Sequence, residues 1–164
     1  MIIFTSISQH KAGTIAFLLY QSYAGILITN QQYWESEKQN WAQFDRQVFE
    51  NPETVGKCVF VTCLNDDAIG FASFDPRQKP ELGIIGHNCI LPGFRGKGYD
   101  KQQIHETLNR MRAIGMRRAV VSTSEHPFFL PAQRMYLACG FQEKRRHGGG
   151  PDPSNRVIEF EREL

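Results

Sequence analysis

In the first third of the chain, the pattern of hydrophobic and polar residues predicts one strand followed by two helices. The apolar run near the N-terminus predicts a strand over residues 2–7. The next segment predicts a helix over about residues 11–26, with Ser8 as a candidate cap. A second helical pattern covers about residues 31–50 and ends at an Asn-Pro pair, which disfavours further helix.

The middle of the chain is rich in β-branched and aromatic residues. Lys57–Leu64 and Ala68–Asp75 flank a short Asn-Asp-Asp turn and predict a β-hairpin. A third strand is predicted over Glu81–Leu91. Within it, Gly83 and Gly86 indicate a bulge or the close approach of another backbone.

The second half alternates between helix and strand. The complete predicted order is one strand, two helices, three strands, a helix, a strand, a helix and two strands, which favours an α/β layered domain around one central sheet. A length of 164 residues fits one domain, which we expect to span residues 1–164. The remaining predicted elements are a helix between Gly98 and Gly115, a strand at Ala119–Ser122, a helix opened by Pro131 and closed by Gly140, and a terminal hairpin of Gln142–Arg146 and Arg156–Glu163 with Ile158 and Phe160 inward.

Composition and charge narrow the function class. Hydrophobic residues make up 41% and charged residues 22% of the chain, which fits a globular protein with a core. A net charge of +2 is too small for an electrostatic binder of nucleic acid or membranes. The four cysteines form no Cys-x-x-Cys pair and lie in apolar runs, so we expect buried thiols and no metal. The N-terminus has no basic segment before its apolar stretch, and the longest apolar run is far shorter than a membrane span, so we also expect a cytoplasmic protein.

A glycine-rich turn between a predicted strand and an amphipathic helix carries the clearest chemical signal. It reads ILPGFRGKGY over Ile90–Tyr99. Glycines let a ligand approach the backbone, and the amides and dipole of a helix N-terminus bind phosphate. A plain tight turn with exposed basic residues is the alternative. The turn lacks both the Walker A pattern and the Gly-x-Gly-x-x-Gly of dinucleotide folds.

Two motifs in this sequence resemble those of the GNAT acetyltransferases. The residues RGKGY from Arg95 to Tyr99 match the first five positions of the family's acyl-CoA loop, Gln/Arg-x-x-Gly-x-Gly/Ala, and Asp100 stands at the sixth. The segment PAQRMYLACGF, with Ala132, Tyr136, Gly140 and Phe141, resembles the family's helix that ends in Tyr-x-x-x-Gly-Phe. The order of elements resembles the family over nearly the whole chain.

The resemblance implies a fold, a cofactor and a reaction. It implies a single GNAT-like domain with a mixed, mostly antiparallel sheet of about six to seven strands, flanked by helices and splayed at the strand before the glycine-rich loop. It also implies transfer of an acetyl group from acetyl-CoA to an amine. The implied cofactor contacts are main-chain groups of Cys89, Ile90 and Leu91 for pantetheine, and amides of Arg95, Gly96, Lys97, Gly98, Tyr99, Asp100 and Lys101 for the diphosphate.

The sequence departs from the family pattern at two positions. Asp100 stands where the family has Gly or Ala, and its carboxylate would compete with a diphosphate for the same donors, so we expect it to weaken cofactor binding. The alternative is that Asp100 faces solvent and favours the start of the helix. Phe129 lies near the position of an Asn that is common in the family.

Direct acyl transfer requires an acid and a base. The resemblance makes Tyr136 the acid, because a phenol is protonated at neutral pH and can donate to a departing thiolate; core packing is the alternative. His87 is the first candidate base, since histidine titrates near neutrality, although a structural histidine is the alternative. Glu81 follows as candidate base, with Glu35 or Glu37 behind it.

The sequence also allows other assignments of catalytic chemistry and of function. Cys89 lies two residues after His87, a spacing that raises a Cys/His nucleophile or a metal pair with His126, both poorly supported. A CoA-binding module without activity and a nucleotide-dependent enzyme are the rival functions.

The acceptor is expected to be a small-molecule or peptide amine. Aromatic residues of the second predicted helix either line the pocket for the acceptor or pack in the core. The cluster Lys144-Arg145-Arg146 is either a solvated strand edge or suited to an acidic acceptor. An exposed terminal strand at Arg156–Glu163 would allow a homodimer.

Overall fold

The computed structural model describes all 164 residues and contains seven strands and four α-helices. The strands form one sheet in the order β1-β2-β3-β4-β5-β7-β6. This is the α/β architecture predicted from the sequence. The strands are β1 (Ile2–Ser6), β2 (Val59–Leu64), β3 (Asp67–Asp75), β4 (Gly83–Ile90), β5 (Arg118–Ser124), β6 (Gln142–Gly148) and β7 (Arg156–Glu163), and the helices are α1 (Thr14–Tyr23), α2 (Gln31–Glu50), α3 (Tyr99–Ala113) and α4 (Leu130–Ala138).

Contacts divide the chain into two compact units, of which the first comprises residues 1–73 and 87–100. In this unit β1 pairs antiparallel with β2, and β2 pairs antiparallel with β3. The predicted hairpin is confirmed: its turn residues Asn65 and Asp66 have φ of 50° and 71°. Two left-handed residues in succession match the right-handed twist of the flanking strands.

The first unit also contains α1 and α2, and α1 is capped from outside its own sequence. The buried carboxylate of Asp45 on α2 accepts hydrogen bonds from the amides of Gly13 (2.8 Å) and Ala16 (3.0 Å). These bonds satisfy amides that a helix leaves unpaired at its N-terminus. The prediction that Ser8 caps this helix is therefore wrong, and α1 begins later than expected. The bounds of α2 agree with the prediction.

The second unit comprises residues 74–86 and 101–164. Here β4 and β5 run parallel, with Gly83 opposite Ala119. The terminal hairpin of β6 and β7 is confirmed, and its inward residues Ile158 and Phe160 are buried. However, β7 pairs with β5 on one side and β6 on the other. Arg156–Glu163 is thus not the exposed edge strand expected for a homodimer.

A close approach does occur at Gly83, but side chains rather than backbone make it. A Cβ at this position would lie 2.2 Å from Sδ of Met116 and 2.3 Å from Cε of Met111. Register shifts occur between Thr62 and Cys63 and between Glu143 and Arg145, on other strands than the one predicted to bulge. The glycine at 83 therefore makes room for methionine packing.

The cysteines are free thiols, three of them buried and Cys58 half-buried. The expectation of buried thiols therefore holds for three of the four cysteines, and Cys58 is the exception. None of the helices combines the length and the apolar character that a membrane span requires.

Candidate functional site

The glycine-rich segment links the end of β4 to the start of α3. A single 3₁₀ turn at Pro92–Phe94 reverses the chain after the strand. Gly96 and Gly98 then adopt φ of 74° and 81°, which only glycine enters without strain. The helix starts directly afterwards at Tyr99. These two left-handed residues set the path of the backbone into the helix.

The space in front of this loop is open. A Cβ built on Gly93, Gly96 or Gly98 would meet no atom within 4 Å. The glycines are therefore not required by packing within the protein. Positive φ values beside open space are what a backbone cradle for a diphosphate needs, because the amides are presented to an approaching anion. The residues present fit an anionic group at this loop.

The Arg95 side chain turns inward from the loop. Its Nε donates to the carbonyl of Ile90 (2.9 Å), and its Nη2 donates to the carbonyl of Ser22 (2.7 Å). Ser22 lies in the last turn of α1, where carbonyls lack helical partners. Arg95 thus joins the loop to β4 and α1.

The other loop residues are arranged differently. Lys97 places its Nζ over the ring of Phe94, 5.7 Å from the centroid. Asp100 is half-buried in the first turn of α3, where a carboxylate stabilises the helix dipole. In the strand before the loop, the amide of Leu91 donates to the carbonyl of Ile69 on β3 (2.8 Å). The Leu91 amide is therefore engaged within the sheet.

His87 lies in the first unit and is held by two neighbouring elements. Its main-chain carbonyl accepts a hydrogen bond from the Ser73 hydroxyl on β3 (2.7 Å). Its ring contacts that of Phe44 on α2, with centroids 5.0 Å apart. Burial lowers the pKa of His87, and the carboxylate of Glu37 opposes this effect. The imidazole is thus favoured in its neutral, proton-accepting form.

The Cys89 thiol is unsuited to act as a nucleophile. Burial raises its pKa to about 12, and the Ser22 hydroxyl, the Phe71 backbone and Arg95 oppose this only in part. Because the thiolate is the reactive species, this cysteine is inert at neutral pH.

The aromatic residues of α2 divide between core and surface. Trp34 and Trp41 are buried, whereas Tyr33 is 43% exposed. The Trp41 ring stacks on that of Tyr23, with centroids 5.4 Å apart, and the Tyr23 hydroxyl donates to the carbonyl of Asn88 (3.4 Å). The tryptophans therefore pack in the core, and Phe44 is the α2 aromatic residue that contacts His87.

Tyr136 and Glu81 belong to the second unit. Tyr136 is buried on α4, with its ring 5.7 Å from that of Phe141 and 5.9 Å from that of Phe160. Glu81 is exposed and forms an ion pair of 2.8 Å with Arg117. The Glu81 carboxylate is thus engaged by Arg117.

The basic cluster on β6 is neutralised by carboxylates within the second unit. Lys144 lies 3.4 Å from Glu161, and Arg145 lies 3.1 Å from Glu159. Arg146 pairs with Glu143 at 2.6 Å, and it also pairs with Glu125. These pairs favour the solvated-edge interpretation over a site for an acidic acceptor.

Most of the residues predicted for the site lie in one unit. The first unit contains His87, the end of β4 and the loop through Asp100, whereas Glu81, Lys101 and Tyr136 belong to the second. Sequence reasoning missed the inward turn of Arg95 and the hydroxyl of Ser73, for which no sequence signal existed. Phe44 is one of the α2 aromatic residues predicted either to wall the acceptor pocket or to pack in the core, and its helical position was the available signal for its contact with His87.

Residues 20–141 match the family model described as the acetyltransferase (GNAT) family. No curated protein matches the sequence significantly.

Several solved structures share the fold at low sequence identity. A Desulfovibrio desulfuricans protein assigned to the GNAT family has a TM-score of 0.77 and 15% identity, with 99% of each chain covered. A GNAT family acetyltransferase from Elizabethkingia anophelis with acetyl-CoA bound has a TM-score of 0.65 and 17% identity, covering 99% of this chain and 98% of that one. The IAA acetyltransferase from Bacillus cereus has a TM-score of 0.67 and 13% identity, covering 100% and 99%.

Proposed function

Because the chain belongs to the acetyltransferase (GNAT) family, we propose that it transfers an acetyl group from acetyl-CoA to a primary amine by direct transfer in a ternary complex. The observation that carries this proposal is the loop at Gly96 and Gly98, whose left-handed glycines face open space at the start of α3. The substrate amine is a small molecule or a peptide. We further propose that residues 1–164 act as one acyltransferase domain.

Acetyl-CoA binding is proposed at the main chain of the loop and of the strand before it. The similar Elizabethkingia anophelis structure holds acetyl-CoA, which supports the choice of ligand. Amides of residues 96–101 would hold the diphosphate; the Arg95 amide, also predicted for this role, instead donates to the Pro92 carbonyl (3.3 Å). Main-chain groups of residues 89–91 would hold pantetheine, except the Leu91 amide and the Ile90 carbonyl, which bond to Ile69 and Arg95. When bound, acetyl-CoA supplies an activated thioester carbonyl for attack by the amine.

His87 is the proposed general base. An acceptor amine is protonated near neutral pH and must lose a proton before it can attack. The depressed pKa of His87 keeps its imidazole neutral and able to take that proton. Glu81 is less suited, because Arg117 pairs with its carboxylate.

Tyr136 is the proposed general acid, on the likeness of its segment to the family's Tyr-x-x-x-Gly-Phe helix. A phenol remains protonated at neutral pH and can donate to a thiolate of comparable basicity. The rings of Phe141 and Phe160 fix its orientation on one side. Replacing Tyr136 by Phe keeps this packing and removes the proton.

A turnover assay tests the proposed reaction. Acetyl-CoA and a panel of primary amines should release free CoA, and Tyr136→Phe should lower kcat by about 10²- to 10⁴-fold. Tyr20→Phe, at an exposed position on α1, is the matched control and should leave kcat unchanged. Retention of CoA without turnover on any amine would support the binding-module alternative. A rise in melting temperature with ATP but not with acetyl-CoA would overturn the ligand assignment.

The pH dependence of the rate tests the base. In the wild type, kcat/KM should rise with pH as His87 loses its proton. In His87→Gln this limb should disappear, whereas His105→Gln, at an exposed position on α3, should retain it. A limb that persists in His87→Gln would assign the base to another group or to water.

A further inference from the structure

Two residues on one face of α2 lie two helical turns apart. Glu37 and Phe44 are separated by seven positions within the helix, a spacing that places both side chains on the same face. Phe44 contacts the His87 ring. The face of α2 that carries Glu37 is therefore the face that packs against the candidate base.

The carboxylate of Glu37 is held in place on this face. Its Oε1 accepts a hydrogen bond from Nδ2 of Asn40 (3.2 Å). The pKa of Tyr33, one turn earlier on the helix, is raised mainly by burial and further by the Glu37 carboxylate. Its charge thus acts along the helix face that leads to Phe44 and His87.

We propose that Glu37 is a positioning residue for His87, and that its carboxylate stabilises the imidazolium that forms when His87 accepts the proton of the acceptor amine. The inference rests on the proposed function of His87 as base. In this step one N–H bond of the ammonium breaks and one N–H bond forms on the imidazole, with no change in electron count. Glu37 exchanges no proton in this step and does not contact the reacting atoms.

The groups that contact His87 from β3 and α2 carry no charge. Ser73 on β3 presents a hydroxyl, and Phe44 presents an aromatic ring. Cys89 on the same strand is a neutral thiol, because its pKa is about 12. Burial lowers the pKa of His87 and Glu37 raises it, so removal of the carboxylate leaves burial unopposed.

The test combines an NMR titration with the rate profile of Glu37→Gln. This variant keeps the acceptor oxygen for Asn40 and removes only the charge. The His87 imidazole resonances should titrate at lower pH than in the wild type. The rising limb of kcat/KM should move to lower pH in parallel, and its plateau should fall by about three- to tenfold, because a weaker base transfers the proton less readily. Glu37→Asp should restore part of both effects.

Glu35→Gln is the matched control, since Glu35 lies on the same helix and pairs with Lys38 at 2.9 Å. It should leave the His87 titration unchanged. An unaltered His87 titration in Glu37→Gln, or an equal shift in Glu35→Gln, would overturn the proposal. The NMR titration of His87 needs no turnover, so it tests the effect of Glu37 independently of the assignment of His87 as the base. That assignment fails if His87→Gln keeps the rising limb of kcat/KM with pH.

Discussion

The Arg95 guanidinium donates to the main-chain carbonyl of Ser22 over 2.7 Å, which joins the loop to the last turn of α1. A second bond from the same side chain reaches the carbonyl of Ile90 at the end of β4. The arginine thus caps a helix C-terminus, where a cation is favoured by the dipole, and fixes the strand before the loop. The Arg95 side chain therefore fixes the backbone of the loop against β4 and α1.

Loss of this side chain should weaken both the fold and the loop. Arg95→Ala removes two charge-assisted bonds to carbonyls, each worth about 1.5–3 kcal/mol. We expect a free energy of unfolding lower by about 2 kcal/mol or more, and weaker acetyl-CoA binding by calorimetry. For the stability measurement Lys97→Ala is the control, because the Lys97 side chain overlies the Phe94 ring. Equal melting temperatures for the two variants would contradict the role assigned to Arg95.

Substitution of the left-handed glycines should affect ligand binding through the backbone. In Gly98→Ala the side chain meets no neighbouring atom, but a φ of 81° costs a residue with a Cβ about 1–2 kcal/mol. Acetyl-CoA binding should weaken by about five- to thirtyfold. Gly93→Ala faces the same open space without a positive φ and should bind normally. Similar dissociation constants for both variants would show that the backbone conformation at residue 98 is not required.

The sequence predicted the fold well where local patterns decide it. The bounds of α2 follow from its periodicity and the Asn-Pro pair, and the first hairpin follows from turn residues that tolerate left-handed φ. The features that the sequence did not predict depend on contacts between residues far apart in the chain. The cap of α1 comes from Asp45, more than 25 residues later, and β7 gains a second partner through its pairing with β5. Neither is visible in a local window.

For the candidate site, the sequence predicted the residue types at the loop but not the partners. The glycine spacing predicted a backbone cradle, and the positive φ values are consistent with it. The inward path of Arg95 depends on where α1 ends, and the environment of His87 depends on which face of α2 packs against β4. Both are tertiary relationships that spacing does not encode.

The Asp100 carboxylate should have opposite effects on stability and on ligand affinity. It stands in the first turn of α3, where a negative charge stabilises the helix by about 0.3–1 kcal/mol. Asp100→Asn should therefore lower the free energy of unfolding slightly. The same variant should bind acetyl-CoA about two- to fivefold more tightly at low salt, because a like charge near the diphosphate is gone.

Isothermal calorimetry at low and high salt tests this interpretation of Asp100, with Glu53→Gln, at an exposed ion pair with Lys57, as the charge control. The gain in affinity should shrink as salt screens the charge. Unchanged or weaker binding by Asp100→Asn at low salt would support the alternative that Asp100 serves only the helix start.

Cys89 should resist thiol reagents although it lies beside the candidate base. With a pKa of about 12, its thiolate population at pH 8 is on the order of one part in ten thousand, and it increases only as the pH rises towards 12. Iodoacetamide should therefore modify the half-buried Cys58 first, as mapped by mass spectrometry of peptides, while all four cysteines react in guanidinium chloride. Direct transfer to the amine then needs no cysteine, and Cys89→Ala should retain turnover. An acetyl group found on Cys89 after incubation with acetyl-CoA alone would contradict direct transfer and favour a covalent route.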